Sequence, residues 1–256
     1  MGRRFGQHFL ARKSILERIA AAACEHYTPT VVEIGPGRGS LTEFLLARAG
    51  RVVAIEIDPY LVHYLQRKFA DAIAGSRLVL IEGDVLKIDL GAWGPCAVAG
   101  NLPYYITSPI LKKVFALGVQ WIRAVFLMQA EVAARLTAAP GTRDFGYLSV
   151  EAQLFSRTEI LFPVARTAFR PVPKVDSAVV RLEPRDIRAD YSIEDAAAFL
   201  RFSSECFRHK RKTLRNNLAG LYDKHRLEAL GEGRLRAEQL GVAGLASLYR
   251  ALEGTV

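Results

Sequence analysis

Asn101 ends the apolar run Ala97-Val98-Ala99-Gly100 and is followed by Leu102-Pro103-Tyr104-Tyr105. One amide, one proline and two aromatic rings at a strand end are more than a strand-to-helix turn requires. The combination suits an exocyclic amino group on a nucleobase. The nitrogen lone pair of such an amine is delocalised into the ring and is a poor nucleophile. Two hydrogen-bond acceptors on its N–H groups would orient it and favour pyramidal geometry. The side-chain oxygen of Asn101 is one acceptor. The backbone carbonyl of Leu102 is the other, held outward because a residue before proline is pushed to extended geometry. Tyr104 can stack on the base. The alternative is that residues 101–104 form a turn and nothing more.

The second group of candidate residues lies upstream. In Glu33-Ile34-Gly35-Pro36-Gly37-Arg38-Gly39-Ser40-Leu41-Thr42, glycines at 35, 37 and 39 let the backbone approach a ligand closely. A dinucleotide fingerprint places its third glycine at position 40, which is Ser40, so that pattern fails. Glu56 lies at the end of the next apolar run, where an acid can accept both hydroxyls of a ribose. Asp84, in Glu82-Gly83-Asp84-Val85-Leu86, can accept from an adenine amino group, although an acid there also serves as a plain helix cap. The row of acids fits a nucleoside. Loss of the third glycine removes support for a pyrophosphate, so S-adenosylmethionine fits better than NAD. With a sulfonium methyl in line with the amine, catalysis is mostly positioning.

These residues must be set side by side, and the pattern of elements does that. Thr30–Ile34, Arg51–Ile57, Leu78–Ile81, Cys96–Ala99 and Ala124–Met128 are short β-branched runs. Helical patterns alternate with them, opening near Leu41, Pro59 and Ser108. This order predicts an α/β fold: a parallel sheet with helices on both faces, and ligand sites at the strand ends. Two further strands are expected at Thr158–Val164 and Val175–Leu182, with Phe169-Arg170-Pro171-Val172-Pro173-Lys174 as a loop between them. Tyr147–Phe155 reads equally as helix or strand. A capping-box pattern at Ser192–Asp195 opens a tail that shows only helical patterns. The expected domains are therefore 1–185 and a small helical domain at 186–256.

Composition bounds the partners. Of 256 residues, 35 are Lys or Arg and 26 Asp or Glu, a net charge of +9, which favours a polyanion. Residues 201–226 hold eight Lys or Arg against two acids. Within that stretch Arg208, Arg211, Lys212 and Arg215 fall at i, i+3, i+4 and i+7, predicting one cationic stripe of a helix for phosphate contact. No apolar run is long enough to span a bilayer, and the basic start is followed by no secretory apolar segment. Cys24, Cys96 and Cys206 are odd in number and far apart, so buried thiols in a reducing cytoplasm are expected, with no disulfide and no metal.

The ordered motifs extend along nearly the whole chain: Phe5–Leu10 (FGQHFL), 33–42, Glu56-Ile57-Asp58, Gly83-Asp84-Val85, Asn101–Tyr105, 169–179 and Arg211–Leu218 (RKTLRNNL). In this set the chain resembles the small-subunit ribosomal RNA adenine N6,N6-dimethyltransferases, in a superfamily with the erythromycin-resistance rRNA methyltransferases. The resemblance implies a Rossmann-like S-adenosylmethionine-dependent methyltransferase fold with a small C-terminal all-helical domain. It implies methyl transfer to N6 of two adjacent adenines in a hairpin loop of small-subunit rRNA, on a pre-30S ribosomal particle, by a monomer. It further implies that Gln7, His8 and Leu10 close over the methionine side of the cofactor. Gly35 and Gly37 would line it, Glu56 would hold the ribose, and Asp84 and Val85 the adenine. Asn101 would meet both cofactor and amine, and Phe169 would stack opposite Tyr104 around a base taken out of its stack. The family often has Asn where this chain has His8, and Lys where it has Ala130. Three other readings stand beside this one: a large-subunit methyltransferase of the resistance type, a non-catalytic ribosome-assembly factor, and an NAD oxidoreductase.

Overall fold

The computed structural model describes residues 8–26 and 28–253. Gln7 lies outside the described residues. The described chain opens with a two-residue strand, β1 (Phe9–Leu10), and helix α1 (Lys13–Ala23), whose buried Leu16, Ile19, Ala20 and Ala23 recur at helical spacing. Strands and helices then alternate: β2 (Thr28–Ile34), α2 (Ser40–Leu46), β3 (Ala49–Glu56), α3 (Pro59–Lys68), α4 (Ala70–Ala74) and β4 (Leu78–Glu82). β5 (Cys96–Asn101), α5 (Thr107–Phe115) and β6 (Trp121–Gln129) continue the series. Pro59 occupies the first turn of α3, and the Asp58 side chain caps it by accepting from the Tyr60 N–H at 3.0 Å. Then come α6 (Ala130–Leu136), α7 (Tyr147–Phe155), β7 (Ser156–Val164), β8 (Phe169–Arg170) and β9 (Ser177–Pro184).

Seven strands form one sheet in the order β4-β3-β2-β5-β6-β9-β7. Neighbours from β4 to β6 run parallel, and β9 pairs antiparallel to β6. β2 and β5 are buried along almost their entire length, which is why each reads as a continuous apolar run rather than an alternating one. Chain order reverses between β2 and β5: β3 and β4 lie to one side of β2, while β5 and β6 lie to the other. Such a switch point leaves a crevice at the carboxyl ends of the strands. Gly100 on β5 lets the two strand ends at that edge close up, since a Cβ there would sit 2.5 Å from the Ile34 carbonyl oxygen of β2. Only a glycine allows the two strand ends to approach so closely.

β1 and β8 make a separate antiparallel pair, Phe9 opposite Arg170 and Leu10 opposite Phe169. The segment 169–174, expected as loop throughout, thus starts as strand. The partner that makes it so lies near the other end of the chain, and no local pattern announces it.

The chain divides into two compact units. The first holds residues up to Ala133 together with Glu159–Pro184, and contains the sheet core around Val31, Val52, Ala99 and Leu127. The second holds Ala134–Thr158 and everything from Arg185 onward. The last junction between the units falls between Pro184 and Arg185. Residues 134–158, however, belong with the second unit rather than the first. The reason is packing: Phe145, Val150 and Leu154 are buried in the same core as Phe199, Leu214, Leu218 and Leu245. Tyr147–Phe155, ambiguous in the sequence, is helix.

The rest of the second unit is α8 (Ile187–Tyr191), α9 (Ala196–Cys206), α10 (Leu214–Leu218), α11 (Lys224–Ala229) and α12 (Gly241–Glu253). Ser192 ends α8 instead of opening a helix. The cap of α9 is Asp195, which accepts from the Ala198 N–H at 2.9 Å. The expected cationic helix stripe does not form. Between α9 and α10 residues 207–213 are turn and loop, so Arg208, Arg211 and Lys212 lie on a loop and Arg215 alone on a helix. Buried Asn217 explains the break. Its side chain donates to the carbonyls of Cys206 at 2.7 Å and His209 at 3.2 Å, and accepts from the His209 N–H at 3.2 Å. It thereby supplies the backbone partners that a continued helix would have used.

Candidate active site

The carboxyl ends of β2, β3, β4 and β5 bring Gly35, Glu56, Asp84 and Asn101 to one cleft in the first unit. The cleft is open to solvent. Leu10, Gly37 and Val85 line it too, so all the described residues expected around the cofactor are gathered there.

Glu56 is buried and held rigidly. One carboxylate oxygen accepts from the Gly37 N–H at 3.0 Å; the other accepts from Ile57 and Asp58 at 2.9 and 3.1 Å. Burial pushes its carboxyl up, while the three backbone donors pull it back down. Three of the carboxylate's roughly four acceptor sites are thus taken, and the one left, on Oε2, can accept from a sugar hydroxyl. Asp84 spends one oxygen on the Leu86 N–H at 2.9 Å, the plain capping role, and its other oxygen accepts from no donor among the described residues. At Gly35 an added Cβ would meet nothing within 4 Å, so its backbone faces open cleft. Buried acid ends, a bare glycine backbone and no phosphate-binding third glycine suit a nucleoside carrying a cationic sulfonium.

Glu33 was not singled out in the sequence, though it stands inside an otherwise apolar strand. It is buried, lines the cleft, and accepts from the Thr42 hydroxyl at 2.6 Å. Burial raises its carboxyl to about 8; Thr42 opposes the rise and nearby Glu56 adds to it. The signal available was that lone acid amid Val31, Val32 and Ile34.

At the other end of the cleft the Asn101 amide donates to the carbonyl of His8 at 2.9 Å. Its side-chain oxygen has no partner among the described residues. Leu102 donates its N–H to the Leu127 carbonyl at 3.0 Å, and its own carbonyl accepts from nothing among the described residues. Two acceptors, one side chain and one backbone, thus stand side by side at the cleft. The Tyr104 hydroxyl is tied to Ser177 Oγ at 3.1 Å. Its ring stacks with that of His8, centroids 6.2 Å apart and planes inclined by 23°. Ser177 and the Pro171 carbonyl, which His8 Nδ1 meets at 2.8 Å, are supports that sequence reasoning missed.

The Phe169 side chain is fully buried in the core with Leu10, Leu16 and Phe162, and it is not among the residues that line the cleft. Pairing of β8 with β1 accompanies that burial.

In the second unit, Arg208 pairs with Glu205 at 3.5 Å and Arg215 with Glu228 at 3.3 Å. Arg211 and Lys212 are exposed and make no ion pair among the described residues. The three cysteines are free thiols; Cys96 and Cys206 are buried, whereas Cys24 is half-buried, short of the expected burial. Among the described residues no group of acids, histidines and cysteines could hold a metal ion, and no helix is long and apolar enough to cross a membrane.

The family described as ribosomal RNA adenine dimethylase matches residues 1–247. The ribosomal RNA small subunit methyltransferase A of Chlorobium luteolum is 40% identical over 256 residues, spanning 98% of this chain and 89% of the relative. That of Pseudomonas putida is 41% identical over 251 residues, spanning 96% and 92%. Among solved structures, a dimethyladenosine transferase from Plasmodium falciparum superposes with a TM-score of 0.81 at 25% identity, covering 94% of this chain and 96% of that one. The 23S rRNA methyltransferase ErmE gives 0.73 at 28% identity, covering 96% and 99%.

Proposed function

The chain belongs to the ribosomal RNA adenine dimethylase family, and from that membership we propose how its cleft does the work. The protein is an S-adenosylmethionine-dependent methyltransferase that dimethylates adenine N6 in small-subunit ribosomal RNA. In our reading the target is a pair of adjacent adenines in a hairpin loop, presented on a pre-30S particle. The enzyme acts on it as a monomer in the cytoplasm.

Bound S-adenosylmethionine supplies a methyl group on a positively charged sulfur. Glu56 holds its ribose, Asp84 and Val85 its adenine, and Leu10, Gly35 and Gly37 border the rest. The amine is managed by this chain alone. The Asn101 side-chain oxygen and the Leu102 carbonyl accept its two N–H groups, and Tyr104 stacks on the base. Held this way, the nitrogen would present its lone pair to the methyl; the N–C bond would form as the C–S bond breaks, that pair staying on sulfur as a neutral thioether, and the extra amine proton would leave to water. The site needs no strong base, because an aromatic ammonium gives up its proton readily.

One observation carries this assignment: the Asn101 amide is committed to the His8 carbonyl at 2.9 Å. That bond fixes which end of the side chain is left over, and the end left over is the acceptor. Exposed Arg211 and Lys212 supply phosphate contacts from the second unit, with Arg208 and Arg215 beside them in sequence.

The test supplies radiolabelled S-adenosylmethionine with undermethylated small subunits, large subunits and naked RNA. Label is expected in small-subunit RNA, as N6,N6-dimethyladenosine. Label confined to large-subunit RNA would establish the resistance-type reading instead. Particle binding without label anywhere would establish the assembly-factor reading.

A further inference from the structure

We propose that two loops of the second unit, residues 139–145 and 207–213, form one phosphate-binding surface for the RNA, in which Arg143 is a contact and Lys210 is the strut that joins the two halves. The inference rests on the ribosomal RNA reading above. It adds a contact from a segment that the sequence placed in the other domain.

The loops are far apart in the chain, and packing brings them together. Phe145 is fully buried, and its ring meets that of Phe207 with centroids 6.2 Å apart and planes inclined by 46°. The Lys210 ammonium donates to the Arg143 carbonyl. Each loop is also braced from within its own unit. The Gly141 N–H donates to the Glu238 carbonyl at 2.6 Å, and the Thr142 hydroxyl to the Ala139 carbonyl at 2.7 Å. Asn217 fixes the second loop through Cys206 and His209.

What the braced loops present is charge. Together they carry five Lys or Arg, at 143, 208, 210, 211 and 212, against the single acid Asp144. All five cations are exposed. Arg208 pairs with Glu205, and Arg143, Arg211 and Lys212 make no ion pair among the described residues. Like charges gathered on fixed loops repel one another, so the arrangement opposes folding until a polyanion neutralises it. Lys210 has a different task from its neighbours. By capping the Arg143 carbonyl it holds the backbone that carries the Arg143 guanidinium against the second loop. Cations on loops already held in place lose little freedom when phosphates arrive. Such contacts position the RNA and do not read its sequence.

The experiment measures the affinity of the full chain for undermethylated small subunits, and for the protein-free RNA of those subunits, over a series of salt concentrations. Arg143→Gln is expected to lower the slope of log affinity against log salt by about 1 on both, and Arg143→Lys to restore it. An unchanged slope in Arg143→Gln overturns the proposal. A change on the particle but not on protein-free RNA assigns Arg143 to an acidic protein of the particle and overturns it too. Lys210→Met removes the strut and keeps an apolar stem. In that background Arg143→Gln is expected to change the slope far less than in the parent, because the guanidinium is no longer held in place. Equal changes in the two backgrounds overturn the role given to Lys210. Transfer of labelled methyl by the unaltered protein is read alongside. Label in small-subunit RNA without a slope change in Arg143→Gln sinks this surface alone, whereas absence of label from the unaltered protein sinks the functional reading beneath.

Discussion

At the scale of single residues, the cleft separates groups that hold a charge from groups that only accept a hydrogen bond. Asn101 belongs to the second kind. Asn101→Ala should lower methyl transfer by at least about a hundredfold, the scale of removing one preorganised polar group from a transition state. Affinity for small subunits should stay close to that of the parent, and single-turnover assays with labelled cofactor separate the two quantities. Glu33 belongs to the first kind, in a suppressed form. Its carboxyl is raised from an ordinary 4.5 to about 8, chiefly by burial. Between those values the folded protein keeps a proton that the unfolded chain has already released. Stability therefore falls as pH rises through this window and levels off above it. Relative to Glu33→Gln, the parent should lose at most about 1.4 kcal/mol per pH unit from pH 5 to 8, read from urea midpoints across a pH series. Equal pH slopes for the two proteins would show that Glu33 ionises normally. Asn101, Glu56 and Asp84 were legible in the sequence because each follows an apolar run, and parallel strands deliver their last residues to one edge. The place of Phe169 was not legible, because its burial depends on pairing with Leu10, far away in the chain.

At the scale of elements, the βα alternation of the first unit was readable, since fully buried parallel strands are short unbroken apolar runs. The basic stretch of the second unit was not. Its i, i+3, i+4, i+7 spacing satisfies a helix on paper, but spacing says nothing about where backbone hydrogen bonds go. Asn217 decides that, by satisfying the backbone of Cys206 and His209 from a buried position. Asn217→Ala should destabilise the second unit by about 1–3 kcal/mol, because the His209 N–H and the Cys206 carbonyl are left without that partner. Amide hydrogen exchange through residues 206–213 should rise in the variant. Unchanged protection there would mean that the loop is shaped by something else. The helix over Tyr147–Phe155 was equally unreadable by periodicity alone. Its burial in the second core, beside Phe199 and Leu245, settles it.

For the molecule as a whole, the +9 charge sets how RNA binding responds to salt. Every cation that stops neutralising a phosphate should lower the slope of log affinity against log salt by about 1. Replacing Arg211 and Lys212 together by Gln should therefore reduce that slope by about 2 and weaken binding without changing which RNA is preferred. A slope equal to the parent's would remove both residues from the interface. A different consequence follows from the route of the chain, which leaves the first unit after Ala133, returns at Glu159 and leaves again after Pro184. The helical part is not an appendage that a stop codon can remove. Truncation after Pro184 would strand Phe145, Val150 and Leu154 with the core they belong to gone, leaving a greasy loop for chaperones and proteases to find. Conversely, a single nick at any one of the three crossings leaves at least one unit built from both fragments, so the fragments must part by unfolding rather than by simple release.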